Sequence, residues 1–364
     1  MRRHEIWMRR ALELAERGRG KTSPNPRVGA VVVRNGKRIS EGHHPYFGGP
    51  HAEVVALQKA GKRAEGSTLY VTLEPCSSWG KTPPCVEAVI ASGVASVVVG
   101  SLDPNPRNHR LGIARLKKAG IRVRVGILKD AMEKQNQTFF KAMRTGLPFV
   151  TLKMAQSLDG KIATRTGESR WISAEPARQK VHELRSLADA VLVGKNTALL
   201  DNPRLQGVNG RVDKPWRIVM DPELRISSRA RVFQGPQLTL VAVSEKRIKQ
   251  ISKRSAKQGR VLLPVTERSG RLEFRSLLKQ LVSLGVHHLL VEGGGETAWS
   301  LLRQGFVDRL IWIVAPKIVG GRNAKTSVEG EGVDRLREAI PLRWEKIYRL
   351  GPDWVLEAEC SPVS

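Results

Sequence analysis

Cysteine is scarce in this sequence, with three residues among 364. An odd and sparse count argues against a disulfide framework and favours a reducing compartment. The sequence also lacks any run of about 18 apolar residues, the length that a transmembrane helix needs. Residues 1–18 carry charges throughout and have no uninterrupted apolar core of the kind found in a secretory signal. We therefore expect a cytoplasmic, globular protein without a membrane partner.

Acidic and aromatic residues are also few. The 34 Asp and Glu residues face 62 Lys and Arg, which gives a formal net charge of +28, and aromatic residues make up 5%. Three explanations fit this charge: a nucleic-acid partner, a small phosphorylated ligand, or arginine-rich solvated faces. No basic stripe interleaved with aromatic residues, as single-strand binders have, is present. We expect a small phosphorylated substrate and no nucleic-acid partner, although charge alone does not decide this.

The length and the pattern of the chain indicate two α/β domains. At 364 residues the chain is long for one core. Short apolar runs alternate with helical patterns, which predicts mainly parallel sheets. The exception is an antiparallel hairpin that turns at Asn35 and Gly36. A helix predicted from Asp130 to Arg144 ends at residues 145–148, which we interpret as the junction between domains 1–146 and 147–364.

Two further helices are predicted from the pattern. The N-terminal one is amphipathic and would direct Ile6, Ala11, Leu12 and Ala15 towards a core. The other is a charged helix over residues 244–260, most simply a solvated face.

Four residues of the first half suggest a catalytic zinc site. His51 and Glu53 form an H-x-E pattern at the start of a predicted helix, and Cys76 and Cys85 flank a loop that leads from a strand into another helix. Catalytic zinc commonly takes three His or Cys ligands and leaves one position for water. A thiolate near a helix N-terminus is stabilised by the helix dipole. Glu53 could then carry protons between water and a ring nitrogen or a leaving amine.

A plainer interpretation is a core cysteine pair with a surface histidine. Zinc nucleobase deaminases have H-x-E followed by P-C-x-x-C, whereas here eight residues separate the two cysteines. Three features nevertheless favour the metal site: "HAE", "EPC" directly after a strand, and "PPC" at the entry to a helix.

The same segments carry a resemblance to a known family. "SPNPRVGAVVV", "PHAEV", "VTLEPC", "GKTPPC" and "DPNP" resemble the deaminase half of the bifunctional riboflavin-biosynthesis deaminase–reductases, in which the longer cysteine spacing is usual. "LKMAQSLDGKIAT", "GESRWIS", "HELRSLADAVLVGKNTALLDNP" and "VEGGGETA" resemble the reductase half. The resemblance runs through nearly the whole chain, with the two halves in the same order. It implies a cytidine-deaminase-like three-layer domain followed by a dihydrofolate-reductase-like α/β domain, and an association into a homo-oligomer.

For the first domain, the resemblance implies hydrolytic deamination of 2,5-diamino-6-ribosylamino-4(3H)-pyrimidinone 5′-phosphate. His51, Cys76 and Cys85 would hold one zinc ion, and Glu53 would be the proton donor. Asn25, in "SPNP", would contact the substrate ring. A turn residue between two prolines explains Asn25 equally well.

For the second domain, the resemblance implies reduction of the ribosyl group to ribityl by NADPH, which gives 5-amino-6-ribitylamino-uracil 5′-phosphate. The glycine-rich turn after the strand "LLVE" suits phosphate binding by backbone N–H groups. The implied NADPH contacts are Ala155, Trp171, Thr197, Asp201, Gly293, Gly294, Gly295, Glu296 and Thr297. The implied substrate contacts are Ser169, Arg185, Leu205 and Glu292, to which we add Lys153. Trp171 could instead belong to a core, and Lys153 could be a solvated lysine.

The chain departs from the family pattern at three places. Ser78, followed by Trp79, stands where a histidine usually follows "EPCS". "DPNPRNHRLG" replaces "DPNP-x-V-A-G-R-G", and the lost glycine could reshape a loop that needs unusual backbone angles. Val208 replaces an expected arginine, for which Arg204 or Arg211 could supply the charge that binds phosphate. These departures keep open a relative with altered pyrimidine specificity, and a zinc deaminase of tRNA or another nucleobase substrate remains the alternative function.

Overall fold

A computed structural model of the chain describes residues 2–208, 215–248 and 260–360. The chain forms two compact units, Met1–Leu147 and Pro148–Ser364. Within the described ranges, every helix is too short or too polar to span a lipid bilayer.

The first unit is built on a five-stranded sheet with the strand order β2-β1-β3-β4-β5. Its helices are α1 (Arg2–Glu16), α2 (Ala52–Ala60), α3 (Cys85–Ala91), α4 (Leu111–Lys118), α5 (Lys129–Gln135) and α6 (Gln137–Thr145). Its strands are β1 (Gly29–Arg34), β2 (Lys37–His43), β3 (Thr68–Leu73), β4 (Ser96–Ser101) and β5 (Arg122–Val125). β3, β4 and β5 are parallel, and β1 is antiparallel to both β2 and β3. The predicted hairpin is confirmed, with Asn35 and Gly36 at φ 51° and 72° in its turn.

The two faces of this sheet pack against different helices, which makes three layers. Val31 joins Met8 and Leu14 of α1 in one buried cluster. Val32 points to the opposite face and packs with residues of α2, α3 and α4. The prediction for α1 is wrong at Ile6, whose side chain is 61% exposed. The buried stripe starts instead at Met8 and repeats every three to four residues, so Ile6 falls on the opposite side of the helix. The remaining predicted core positions of α1 agree with the structure, since Ala11 and Ala15 are fully buried and Leu12 is partly buried against the core.

The helix predicted from Asp130 to Arg144 is two helices, α5 and α6, which meet at Asn136. Asn136 has a non-helical φ of −113°. Its side-chain oxygen accepts the Arg27 N–H at 2.7 Å, and its amide donates to the Arg27 carbonyl at 3.0 Å. A side chain that satisfies a distant backbone in this way competes with helix continuation.

The second unit is built on a nine-stranded sheet with the order β10-β9-β8-β7-β13-β6-β14-β16-β15. Its helices are α7 (Glu175–Leu187), α8 (Lys195–Asp201), α9 (Phe274–Ser283) and α10 (Gly295–Arg303). The strands of this sheet are β6 (Phe149–Ser157), β7 (Ala190–Gly194), β8 (Trp216–Met220), β9 (Thr239–Ser244), β10 (Val261–Val265), β13 (His288–Glu292), β14 (Arg309–Ala315), β15 (Leu342–Leu350) and β16 (Asp353–Cys360). β11 (Glu267–Arg268) and β12 (Arg271–Leu272) form a separate small pair.

Seven strands of the larger sheet, from β10 to β14, are parallel to their neighbours, and β16 and β15 extend it in the antiparallel sense. The sequence patterns gave no prediction for β15 and β16. β15 mixes charged with apolar residues and is mostly exposed, as suits a strand at the edge of a sheet. Most of the charged helix predicted over 244–260 lies outside the described residues.

Strand order brings chemically active residues together. Glu74 and Cys76 follow β3, and Asp103 follows its parallel neighbour β4. In the second unit, Glu292 at the end of β13 pairs in register with Lys153 of β6. The carboxyl ends of neighbouring parallel strands meet at one edge, where α/β proteins place their ligands.

Candidate functional site

His51, Cys76 and Cys85 converge in the first unit. One ligand atom from each residue lies within 4.8 Å of the other two. The His51 Nδ1 atom is 2.8 Å from the Cys85 Sγ atom and 3.6 Å from the Cys76 Sγ atom. His51 caps α2 in an extended conformation, Cys76 lies beyond the end of β3, and Cys85 begins α3. Three residues that are far apart in the sequence therefore form one cluster in the structure.

The donor set fits zinc. Tetrahedral zinc with bonds of about 2.0–2.3 Å to nitrogen and sulfur keeps its ligands roughly 3.5 Å apart. The distance of 3.6 Å between His51 Nδ1 and Cys76 Sγ matches that value, whereas the distance of 2.8 Å to Cys85 Sγ is shorter. One nitrogen with two sulfurs is a set that zinc prefers.

Hydrogen bonding within the cluster favours a thiolate at Cys76. A hydrogen bond with the Cys85 thiol, joined by one with His51, lowers the pKa of Cys76 to about 4 despite burial. The Cys85 N–H also donates to the Cys76 Sγ atom at 3.2 Å. The bond to Cys76 raises the pKa of His51, while the same shared thiol bond, together with burial, raises the pKa of Cys85. The thiolate stabilised by these contacts is thus Cys76, before the helix, rather than Cys85 within it.

Glu53 lies beside this cluster. Its side chain is 3% exposed, and burial raises the pKa of its carboxyl group to about 7. A carboxyl group with that pKa can both hold and release a proton near neutral pH, as a general acid–base catalyst must.

The cluster opens into a cavity of about 130 Å³ that includes Asn25. Asn25 lies in a turn, since its N–H donates to the Thr22 carbonyl, and its side-chain amide is 3.3 Å from the His44 Nε2 atom. The His44 Nδ1 atom lies 3.0 Å from the Pro50 carbonyl, and burial lowers the pKa of His44. A neutral His44 therefore donates to Pro50 and accepts from Asn25, which leaves the Asn25 carbonyl oxygen available to the cavity.

Sequence reasoning missed several residues that line this cavity: His44, Glu74, Asp103, Asn105 and Asn108. The sequence did carry a signal for Asp103. It is an acidic residue shortly after β4, and β4 is parallel to β3, the strand that leads to Cys76. Burial raises the pKa of Asp103 to about 6. His44 had no comparable signal in the sequence, because it follows an antiparallel strand.

Arg110 occupies the position of the glycine that the family pattern leads one to expect. It adopts the left-handed conformation at φ 64°, and its N–H donates to the Glu74 carboxylate at 3.1 Å. The chain therefore accommodates an arginine in a backbone conformation that favours glycine. Trp79, at the other departure, is 77% exposed and does not line the cavity.

The second unit contains a cavity of about 580 Å³. The predicted cofactor and substrate residues that line it are Lys153, Ala155, Ser169, Trp171, Arg185, Thr197, Asp201, Arg204, Leu205, Glu292, Gly293 and Gly294. Gly295, Glu296 and Thr297 are not among the lining residues and belong to the first turn of α10. Arg211 lies outside the described residues. Lining residues that the sequence did not suggest include His182, Gln206 and Arg231.

A buried ion pair lies at the base of this cavity. The Arg185 Nε and Nη2 atoms donate to the two Glu292 carboxylate oxygens at 2.6 and 2.8 Å. Their side chains are 15% and 12% exposed, and the pair holds the pKa of Glu292 below its usual value against the opposing effect of burial. Burial lowers the pKa of the neighbouring Lys153, whose side chain is partly buried and lines the same cavity.

The lining of this cavity also contains a second polar pair and an aromatic side chain. The Ser169 hydroxyl donates to an Asp201 carboxylate oxygen at 2.6 Å. Trp171 is 63% exposed and stacks beneath the Arg178 guanidinium at 4.7 Å, so it is not a core residue. Both features face the cavity from different segments.

The glycine-rich turn follows β13 directly and caps α10 at Gly294. A Cβ atom on Gly295 would lie 2.6 Å from the Thr326 carbonyl oxygen, so only glycine fits the close packing there. The first N–H groups of this nine-residue helix have no acceptor within the helix and suit a phosphate of NADPH. The residues present therefore fit a dinucleotide cofactor.

The whole chain is similar to known proteins. Residues 148–356 match the family model described as RibD C-terminal domain, and residues 1–101 match that of the cytidine and deoxycytidylate deaminase zinc-binding region. The riboflavin biosynthesis protein RibD of Aquifex aeolicus is 42% identical over 351 residues, which cover 96% of each chain. The Escherichia coli protein of the same name is 41% identical over 362 residues, 96% of this chain and 97% of that protein.

Two solved structures are similar to nearly the whole chain. RibD of Acinetobacter baumannii superposes with a TM-score of 0.90 at 35% identity and covers 99% of both chains. A diaminohydroxyphosphoribosylaminopyrimidine deaminase/5-amino-6-(5-phosphoribosylamino)uracil reductase of Thermotoga maritima gives 0.86 at 34% identity with the same coverage.

The buried ion pair predicts a specific response to substitution. Glu292→Gln should lower the free energy of unfolding of the second unit by roughly 3–5 kcal/mol, because it leaves the Arg185 cation buried without its counter-charge. Arg185→Met combined with Glu292→Leu should recover most of that loss. Urea denaturation measures both variants, with Glu183→Gln, in an exposed pair on the same helix, as a control without measurable effect. Equal stability of Glu292→Gln and the parent protein would contradict the prediction.

Proposed function

The chain belongs to the RibD family of riboflavin-biosynthesis proteins, and from this premise we propose how its residues divide the work. It is a bifunctional enzyme with deaminase and reductase activities, a zinc-binding deaminase domain and an NADPH-dependent reductase domain. We assign deamination to residues 1–146 and reduction to residues 147–364. In the first reaction the substrate is 2,5-diamino-6-ribosylamino-4(3H)-pyrimidinone 5′-phosphate, and in the second the ribosyl group of the product is reduced to ribityl.

One observation supports the deaminase assignment above all others: His51, Cys76 and Cys85 meet beside a buried Glu53, and His51, Cys76 and Glu53 line one cavity. The three ligands would hold zinc, which supplies a Lewis acid that makes water nucleophilic near neutral pH. The Glu53 carboxyl group would take a proton from water and deliver it to the leaving amine, because its raised pKa suits both transfers. Asn25, held by His44, would present its carbonyl oxygen to the pyrimidine ring.

In the reductase, NADPH supplies the hydride, and the chain's residues position the two reactants. We assign NADPH contacts to Ala155, Trp171, Thr197, Asp201 and the segment from Gly293 to Thr297. Glu292, fixed by Arg185, would accept hydrogen bonds from the substrate. Lys153 would act beside it, where the depressed pKa eases proton donation. Ser169 and Leu205 complete the proposed substrate contacts.

We further propose that Arg204 binds the substrate phosphate. Val208 stands where the family usually has an arginine, and Arg185 is already engaged by Glu292. Arg204 lines the same cavity, with its side chain exposed to it. Arg211 is the other candidate. A guanidinium group suits this role because it donates to phosphate through two parallel N–H groups.

The alternative of a deaminase acting on tRNA is not favoured. The match of residues 148–356 to the reductase family model accounts for a half of the chain that such an enzyme would leave unexplained.

We propose that the protein is a cytoplasmic homo-oligomer. Trp344, Ile347 and Trp354 are each 50–54% exposed on the last two strands. Ile347 pairs with Leu356, two residues from Trp354, and an irregularity after Trp344 brings Trp344 and Ile347 to the same face of the sheet. A contiguous apolar face of this kind is typical of protein–protein contacts.

Replacing Glu53 tests the deaminase mechanism. Glu53→Gln should reduce ammonia release from the diaminopyrimidine ribotide by about 10²–10⁴-fold, because it removes the proton carrier but keeps the shape of the side chain. Zinc content and NADPH oxidation with the deaminated substrate should stay at parental values. Glu65→Gln, an exposed residue of the same domain, serves as the control. Unchanged ammonia release would refute the mechanism, and parent protein that forms neither product would refute the substrate assignment.

Replacing Arg204 tests the phosphate site. Arg204→Gln should raise the KM of the reductase for its phosphorylated substrate about tenfold or more, because it removes a charge-assisted hydrogen bond. The KM for the dephosphorylated substrate should not change. Arg229→Gln, an exposed arginine that does not line the cavity, should leave both values unchanged. If Arg211→Gln has the effect instead, phosphate binding belongs to Arg211.

Replacing Trp344 tests the oligomer. Sedimentation velocity should give a mass above 40.3 kDa, the mass of one chain, for the parent protein. Trp344→Ser should shift the population towards the monomer, because it removes apolar area from the contact. Leu336→Ser, at a residue 93% exposed and outside these strands, should not. A monomeric parent protein would contradict the proposal.

A further inference from the structure

The Asn108 side chain contacts both of the residues that follow Cys76, Ser77 and Ser78. Its side-chain oxygen accepts the backbone N–H groups of Ser77 and Ser78, both at 3.2 Å. It also accepts the Ser78 hydroxyl at 2.8 Å, and the Ser77 hydroxyl lies at 3.4 Å. One carbonyl oxygen thus holds two successive residues directly behind a proposed metal ligand.

The other end of the same side chain contacts the wall of the cavity. The Asn108 amide nitrogen donates to an Asp103 carboxylate oxygen at 3.0 Å, and both residues line the deaminase cavity. Asn108 is 7% exposed and Asp103 is 5% exposed. The orientation of the amide follows from its partners, because the reverse orientation would set its oxygen against a carboxylate and its NH₂ group against N–H donors. Asn108 therefore joins the cysteine loop, through its side-chain oxygen, to the wall of the cavity, through its amide nitrogen.

Both partners of the shortest contact are departures from the family pattern. Ser78 stands where the family usually has histidine, and Asn108 stands where the pattern "DPNP-x-V" has valine. A valine offers no acceptor to the two N–H groups and no donor to Asp103. Ser78 and Asn108 are 30 residues apart in the sequence, but the Ser78 hydroxyl lies 2.8 Å from the Asn108 side-chain oxygen in the structure.

We propose that Ser78 and Asn108 are paired positioning residues of the deaminase, which together fix the substrate-facing wall of its cavity. The inference rests on the proposed deaminase function. The two residues form one unit, so that loss of either one leaves the wall misplaced.

The unit acts on substrate binding more than on the metal. Cys76 has its own anchors, since its Sγ atom accepts the Cys85 N–H and lies 3.6 Å from the His51 Nδ1 atom. Loss of the Asn108 contacts releases Ser78 and removes one of the hydrogen bonds to the Asp103 carboxylate, but it leaves those anchors of Cys76 in place. A purely structural role for Asn108 would lower thermal stability and leave substrate affinity unchanged.

The experiment measures substrate binding without turnover. Each variant is made in the Glu53→Gln background, and the affinity for the diaminopyrimidine ribotide is determined by calorimetry. Asn108→Val should raise the Kd about tenfold, because it leaves buried polar groups unpaired. Combined with Ser78→Ala it should raise the Kd no further, because the Ser78 hydroxyl has already lost its acceptor. In the active background the same changes should appear in KM, with kcat little affected.

Two measurements and one further variant serve as controls. Zinc content should stay at one ion per chain, and NADPH oxidation with the deaminated substrate should stay at the parental rate. Ser40→Ala removes a buried hydroxyl whose bond to the Ala56 carbonyl, at 2.6 Å, is structural. It should lower the melting temperature and leave Kd unchanged. Ser78→Ala, a smaller change, should raise Kd less than Asn108→Val and covers the case in which the latter fails to fold.

The outcomes separate the inference from the function on which it rests. Kd increases in the two single variants that simply multiply in the double variant would overturn the pairing. Normal Kd in Asn108→Val and in Ser78→Ala would overturn the positioning role, even if Glu53→Gln abolishes deamination. Parent protein that neither binds nor deaminates the ribotide would overturn the proposed deaminase function itself.

Discussion

The carboxylate of Glu74 is the contact on which the deaminase site depends. It is 3% exposed and accepts backbone N–H groups from Asp103, Arg110 and Ile113 at 3.1–3.2 Å. These groups belong to the loop after β4 and to the start of α4, whereas Glu74 itself follows β3. Because Cys76 is only two residues further on, the same contact sets where the metal ligand and the acidic wall of the cavity stand relative to each other.

In the second unit, an ion pair fixes the elements around the site instead. Arg185 comes from α7, whereas Glu292 ends a central strand, and their double hydrogen bond fixes the base of a much larger cavity. Neighbouring parallel strands place Lys153 in register with Glu292. In both units, then, a buried carboxylate at the end of a parallel strand organises the site, with neutral donors around it in one and a guanidinium in the other.

The sequence predicted the family, the α/β class and the convergence of His51 with the two cysteines, because those features depend on motifs and on strand order. It predicted less well where a distant contact decides the local structure. Asn136 ends a helix because it bonds to the backbone of Arg27, 109 residues away. Asn108 lies in a segment that departs from the family pattern, but its contacts with Ser77 and Ser78 could not be inferred from that departure. Contacts of this kind leave no periodic pattern for sequence reasoning to find.

The conformation of Arg110 affects how members of this family can be recognised from their sequences. A left-handed arginine costs about 1 kcal/mol relative to glycine, and the bond from its N–H to Glu74 offsets part of that cost. The conformation of this loop is therefore specified by a carboxylate 36 residues away rather than by the residue that adopts it. A search pattern that demands glycine here would reject a chain whose backbone follows the left-handed path that glycine favours.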